Sequence, residues 1–431
     1  MKILFKNAKV LTMNDGPILF DKDVLIEGNK ISKIEKNIIP DENTKIIDCT
    51  NTVLMPGFKN AHAHGPMTFS RTSSDNLSLN DWLTKCIFPM EDNLKPGDVY
   101  NLIKGSFLEY LTSGITTSFE MYYYPKEIAQ ASKDFNFRTV ILSTVTSDRQ
   151  TIEEIEDCYS TIGDDENNLS TFFFGLHAEY TLSDLKLEGM LSLVNKYKKP
   201  IAMHISESEN EVEACKNRRN GLTPFEYFDS VGLFKYGATT FHNVYLSEND
   251  INIIKKYKIN CVSCPGSNSK LASGIAPITR LFNEGVNISL GTDGPGSNNC
   301  LDMFKEMLLL FSLEKLKDKN PVGVSAYEIL KMATVNGAHA MGLYDCDTIQ
   351  VGKKADIILI NLDKPNMQPL NDIISNIVYS GSKDNIKLTM VDGKIMYQDG
   401  KFYLNEDYHD IYKKQQEISN RLNKDNIYLN K

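Results

Sequence analysis

Residues 200–205, PIAMHI, form a short apolar run with a histidine, His204, next to its end, and seven further β-rich runs share its build: VLMPGF (53–58), ITTSFE (115–120), RTVILS (138–143), TFFFGL (171–176), ATTFH (238–242), INCVSC (259–264) and VNISLGT (286–292). Amphipathic stretches such as DVYNLIKGSFLEYLTSG, SDLKLEGMLSLVNKYKK and SENDINIIKKYK lie between them. Eight strand–helix repeats over this span predict an α/β fold built on a closed (β/α)8 TIM-type barrel. A doubly wound open sheet is the competing architecture.

The two chain ends have a different texture. ILFKNAKVLTM and DVLIEGNKISKIEK break at Gly28-Asn29, a hairpin signal, and LTMVDGKIMYQDGKFY carries two Asp-Gly turns, Asp392-Gly393 and Asp399-Gly400. Both ends therefore read as one small β domain interrupted by the central unit, with residues 1–56 and 346–405 in the composite part and 57–345 in the barrel. The charged segment 406–431 has Ile411, Ile418 and Leu422 at helical spacing, which predicts a terminal helical tail on the barrel exterior. GDDENNLS (163–170) reads as a solvated loop.

The 431 residues are 41% hydrophobic and carry a formal net charge of −9, enough apolar surface for a sizeable core and the wrong sign for nucleic acid or an anionic membrane. The partner expected is a small molecule, with a homo-oligomeric state left open. The N-terminus has no apolar h-region, and no run approaches the ~18 apolar residues of a membrane span. Eight sparse cysteines embedded in apolar stretches fit reduced thiols, so the expected compartment is the cytoplasm. Cys261 and Cys264 lack a second CxxC or a nearby histidine and read as buried strand thiols.

Chemistry concentrates at the strand C-termini. Of seven histidines, His62 and His64 follow the first run, while His177, His204 and His242 follow or end the fourth, fifth and sixth; Asp293 follows the eighth. In a barrel these ends converge on one rim. His62, His64, His204 and Asp293 make three imidazoles and a carboxylate, a set suited to one Zn²⁺ or Fe²⁺ with a position left for water. Glu207, three residues after His204, is placed to move a proton from that water to the substrate, with Glu209 and Glu211 as alternatives. His242 is placed to polarise the water or a developing oxyanion. GLHAEY offers His177 where two-metal barrel hydrolases place a bridging lysine, which favours one ion and frees His177 for substrate. His339 and His409 read as structural.

PGFKNAHAHGPM, the His204/Glu207 pair, FHNVYLS, CPGSNSKLASGIAP and LGTDGPGSNNCLDMF together resemble the amidohydrolase superfamily, in particular its 5-methylthioadenosine/S-adenosylhomocysteine deaminase branch with chlorohydrolase relatives. The resemblance runs from about residue 2 to residue 403. It implies a barrel plus a composite β-sandwich and a cytoplasmic, metal-dependent deaminase of purine nucleosides. His62, His64, His204 and Asp293 then correspond to metal ligands, Glu207 to the proton shuttle and His242 to the water-orienting group, with Asp293 helping to deprotonate the water. Trp82 and Glu91 stand where relatives contact the base and the ribose hydroxyls, and His177 matches their GxHxxY segment. Relatives hold an amino-acid carboxylate with arginines near the third strand, where TVTSDRQ offers only Arg149 and Arg138 is expected on the opposite face. Glu179 replaces a frequent proline and is expected to add negative charge near the pocket. Methylthioadenosine or adenosine is thus expected over adenosylhomocysteine. The alternatives are deamination or dechlorination of another N-heterocycle (guanine, pterin, triazine) and a catalytically silent scaffold.

Overall fold

A computed structural model describes residues 2–16, 18–162, 169–424 and 426, so most of the GDDENNLS stretch lies outside the described residues. Eight parallel strands form the central sheet in sequential order: Phe58–Ala63, Ile115–Met121, Arg138–Leu142, Ser170–Gly175, Ile201–Ile205, Ala238–His242, Asn260–Ser263 and Ile288–Leu290. The sheet closes on itself at the rim, where Ala63 bridges Asp293 in parallel and the Asp293 N–H donates to the His62 carbonyl at 3.0 Å. Helices connect successive strands, among them Asp98–Thr112, Asp184–Tyr197 and Glu248–Tyr257. This is the expected α/β barrel.

A nine-stranded mixed sheet gathers both chain ends. Its suture is the antiparallel pair of Thr52–Pro56 with Ile357–Asn361, in register from Ile357 opposite Pro56 to Asn361 opposite Thr52. The Gly28-Asn29, Asp392-Gly393 and Asp399-Gly400 turns join adjacent antiparallel strands as expected.

One expectation shifts. The run 53–58 is not the first barrel strand: Thr52–Pro56 belongs to the terminal sheet and the barrel begins at Phe58. Gly57 separates the two, because a Cβ there would lie 2.1 Å from the Thr116 side chain. His62 consequently sits inside the first strand and His64 just after it.

Helix Tyr408–Leu422 buries Ile411, Ile418 and Leu422 against the barrel exterior, and its Gln415 donates to Thr68 Oγ1 at 2.9 Å and to the Leu102 carbonyl at 3.0 Å. Cys261 and Cys264 are buried free thiols; burial pushes Cys261 up to about 12. Among the described residues no helix is long and apolar enough to cross a membrane.

Candidate metal centre and substrate cavity

The strand ends supply the site side chains through strained backbone. Ser206, His242 and Asp293, each at the end of a barrel strand or just beyond it, have φ of +52°, +74° and +59°. Non-glycine residues in this region cost roughly 1–3 kcal/mol each, and such strain collects at functional sites where the surrounding structure over-determines it. At the last strand, Gly291 lets the chain pass His62, since a Cβ there would fall 2.7 Å from the His62 Cβ.

Ligand atoms of His62, His204, His242 and Asp293 all lie within 4.8 Å of one another. His64 joins them: its Nε2 is 3.2 Å from His204 Nε2 and 3.3 Å from Asp293 Oδ1, which is itself 3.4 Å from His62 Nε2. The outer nitrogens are committed. His64 Nδ1 meets the Met121 carbonyl, His204 Nδ1 donates to the His177 carbonyl at 2.7 Å, and His242 Nδ1 pairs with Asn268 Oδ1 at 2.8 Å. Each contact fixes the ring and turns Nε2 inward. Ser267 Oγ donates to Asp293 Oδ2 at 2.6 Å.

This set fits a divalent ion. Neither ring nitrogen of fully buried His62 has a hydrogen-bond partner among the described residues, an arrangement a metal ligand requires and a core histidine avoids. Burial pushes His62 down to about 3 and also lowers His64 and His204, leaving neutral imidazoles with free lone pairs. Burial opposes ionisation of Asp293, but the imidazoles beside it hold it well below the usual carboxylate range.

Glu207 is buried, with Oε2 3.7 Å from His242 Nε2 and Oε1 accepting from Ser273 Oγ at 3.4 Å. Burial raises its carboxyl above the ordinary value. Glu211, one of the two alternatives for the proton carrier, is occupied otherwise: its carboxylate accepts the backbone N–H of Ser206 at 2.8 Å and of Glu207 at 2.7 Å, clamping the turn that presents Glu207. Glu209 starts the helix Glu209–Arg218 and is not among the cavity-lining residues.

The cavity over this cluster is lined by His64, His177, His204, Glu207, His242 and Asp293 on its floor and by Trp82, Phe88, Glu91, Tyr122, Tyr123 and Thr144 on its walls. His177 Nδ1 pairs with Thr181 Oγ1 at 3.0 Å, and burial pushes it down to about 3. Three polar atoms on these walls, Trp82 Nε1, the Tyr122 hydroxyl and Thr144 Oγ1, have no hydrogen-bond partner among the described residues.

Two expectations about charge change here. Glu179 does not line the cavity; its buried carboxylate pairs with Arg218 and with Arg219 Nε at 2.8 Å, so its charge is neutralised. Arg149 does not line this cavity either. It lines an adjoining one and pairs with Glu91 and Asp92. Arg138 lies at the opposite end of the barrel, as expected, paired with Asp356 at 2.6 Å. His339 pairs with Asp347 at 3.0 Å, and His409 pairs with Asp407 at the start of the terminal helix. The roles of Glu211, Asn268 and Ser267 escaped the sequence reading, although CPGSNSK contains the last two.

Comparison with known proteins agrees with this geometry. The amidohydrolase family model matches residues 53–396. A 5-methylthioadenosine/S-adenosylhomocysteine deaminase of Caldanaerobacter subterraneus is 35% identical over 407 residues, covering 92% of this chain and 93% of that protein. One of the same name from Thermococcus sibiricus is 36% identical over 402 residues, covering 92% and 94%. The crystal structure of an adenosine deaminase from Xanthomonas campestris with bound zinc superposes with a TM-score of 0.92 at 27% identity, covering 98% of each chain. The chain belongs to the amidohydrolase family and is a hydrolase acting on C–N bonds.

Proposed function

We propose that the protein deaminates adenine nucleosides, methylthioadenosine or adenosine in preference to adenosylhomocysteine, releasing ammonia and the inosine analogue. The observation that carries this reading is the buried His/Asp cluster with Glu207 beside it, on the floor of a cavity walled by Trp82 and Glu91. His62, His64, His204 and Asp293 would hold one divalent ion, zinc first and iron(II) second, with His242 in the same cluster. Bound there, the ion would supply an acidified water, with a pKa brought from 15.7 toward about 7.

The side chains do the rest. Glu207 takes a proton from the water and delivers it to the ring nitrogen next to the amine-bearing carbon, then carries a second to the departing amine. Asp293, ionised and held by Ser267, shares in deprotonating the water. His242, pinned by Asn268, turns Nε2 toward the oxygen that develops charge. Trp82 packs against the base and His177 contacts it from the floor. Glu91 accepts hydrogen bonds from the ribose hydroxyls; hydrogen bonds to a charged group contribute roughly 1.5–3 kcal/mol each. The relatives' names support the nucleoside class. An anionic tail is disfavoured because the one arginine nearby is already paired with two carboxylates.

The test is an ammonia-release screen of metal-loaded protein against adenosine, methylthioadenosine, adenosylhomocysteine, adenine, guanine, pterins and aminotriazines. Highest kcat/KM should fall on the first two. Preference for a pterin, a triazine or guanine would overturn the reading.

A further inference from the structure

Glu91 lines the cavity from a nearly apolar wall that includes Ile87, Phe88 and Met121, and it is only 8% exposed. A carboxylate in such a place loses its charge unless something opposes burial. Arg149 stands behind it. One guanidinium nitrogen is 3.2 Å from Glu91 Oε2, the other contacts Asp92, and the guanidinium carbon lies 4.5 Å from the centre of the Tyr123 ring. Both ends of the fork and its face are thus engaged, and only Glu91 of this pair lines the reaction cavity, while Arg149 lines the adjoining one.

We propose that Arg149 is a positioning residue that works through Glu91: it holds the carboxylate charged and aimed at the ribose hydroxyls, and it is not a clamp for an anionic substrate tail. This rests on the reading that Glu91 receives the ribose. A charged carboxylate accepts from both hydroxyls of a cis-diol at once, whereas a protonated one loses an acceptor and presents a donor instead. The ionisable groups facing Glu91 are Arg149, Asp92 and, just beyond the second barrel strand, Tyr122 and Tyr123. Burial holds both tyrosines neutral well above pH 10, so Arg149 is the one cation in this set. Against it, burial pushes Glu91 up to about 7 even with Arg149 present. Removing the cation moves that value higher still, and the charged form then survives only at more alkaline pH.

The readout is the ratio of kcat/KM for adenosine to that for 2′,3′-dideoxyadenosine, followed from pH 6 to 9. Groups that act on the base cancel in it. In the native protein the ratio should rise through a midpoint near 7. In Arg149→Met the midpoint should move up by a unit or more, so that at pH 7 the ratio falls about fivefold or more below native and recovers toward pH 9, since the ionised fraction at pH 7 drops from about one half to about one tenth or less. Arg149→Lys should restore part of it. Glu91→Ala should abolish the ratio at every pH. An unshifted midpoint in Arg149→Met, with a loss confined to adenosylhomocysteine, would overturn the proposal and make Arg149 a tail clamp. If Glu91→Ala keeps the native ratio, the ribose reading fails and this inference with it, a result distinct from an unshifted Arg149 variant. A thermal melt of each variant separates a folding defect from a shifted midpoint.

Discussion

The two ends of the barrel both bury charged side chains and use them in opposite ways. At the N-terminal end, where the barrel meets the terminal sheet, Arg138 contacts Asp356 at 2.6 Å and Asp392 at 2.8 Å, and Lys59 lies 3.5 Å from Asp356 while donating to Thr116 at 2.9 Å. Every charge there has its partner. At the C-terminal end, neither ring nitrogen of His62 nor the polar atoms of Trp82, Tyr122 and Thr144 in the cavity wall have a hydrogen-bond partner among the described residues. A network that satisfies itself holds two sheets together; unmatched polar atoms gathered at the strand-end rim point to a ligand site.

That contrast can be broken from either side. The largest effect is expected at the open end. Glu207→Gln keeps the shape but cannot move a proton, so turnover should fall about 10²–10⁴-fold, with metal content and melting temperature near native. Near-normal turnover would transfer the role, with Asp293 the first suspect.

At the closed end the loss should appear in stability instead. Asp356→Ala leaves Lys59 without a carboxylate and Arg138 with Asp392 alone, and removing one partner of a buried pair costs about 3–5 kcal/mol. Denaturant unfolding should register that loss while the folded fraction keeps its metal and its activity. A pH effect follows. Burial alone would raise Asp356, but Arg138 and Lys59 hold it well below the usual carboxylate range. A lowered folded value contributes stability above the unfolded pKa of about 3.9 and loses it as pH falls below that. The native protein should therefore lose more stability than the Asp356→Ala variant between pH 4 and pH 2, and parallel acid limbs would remove Asp356 from the account.

The smallest effect concerns the substrate tail. With Arg149 engaged and Glu179 neutralised, methylthioadenosine should exceed adenosylhomocysteine in kcat/KM by about tenfold, the equivalent of one lost charge-assisted contact. The reverse order would place a carboxylate-binding group in the cavity.

The barrel was legible because a parallel strand covered on both faces is a short continuous apolar run, and eight such runs recur with helices between them. The same property misplaced the first strand. VLMPGF is one apolar run whose last residue, Phe58, already belongs to the barrel, and only the crowding of Gly57 against Thr116, 59 residues away, separates one sheet from the other. The histidines were legible because strand ends place them on one rim regardless of distance along the chain. The partners of Glu179, Arg149 and Glu211 were not. Glu179 is neutralised by arginines 39 and 40 residues on, and Arg149 meets carboxylates 57 and 58 residues back, pairings that no local pattern encodes. Glu211 is close to Glu207 in sequence, but a carboxylate that clamps a turn looks in sequence like one that carries protons.

The central claim is that the rim cluster holds a single working ion. Elemental analysis of the metal-loaded protein, run beside His204→Ala, tests it most directly. One zinc or iron per chain in the native protein and most of it lost in the variant is the expected result, since His204 contributes to the cluster and its Nδ1 contact with the His177 carbonyl organises the floor. Two tightly held ions per native chain, or an unchanged content in His204→Ala, would contradict the account.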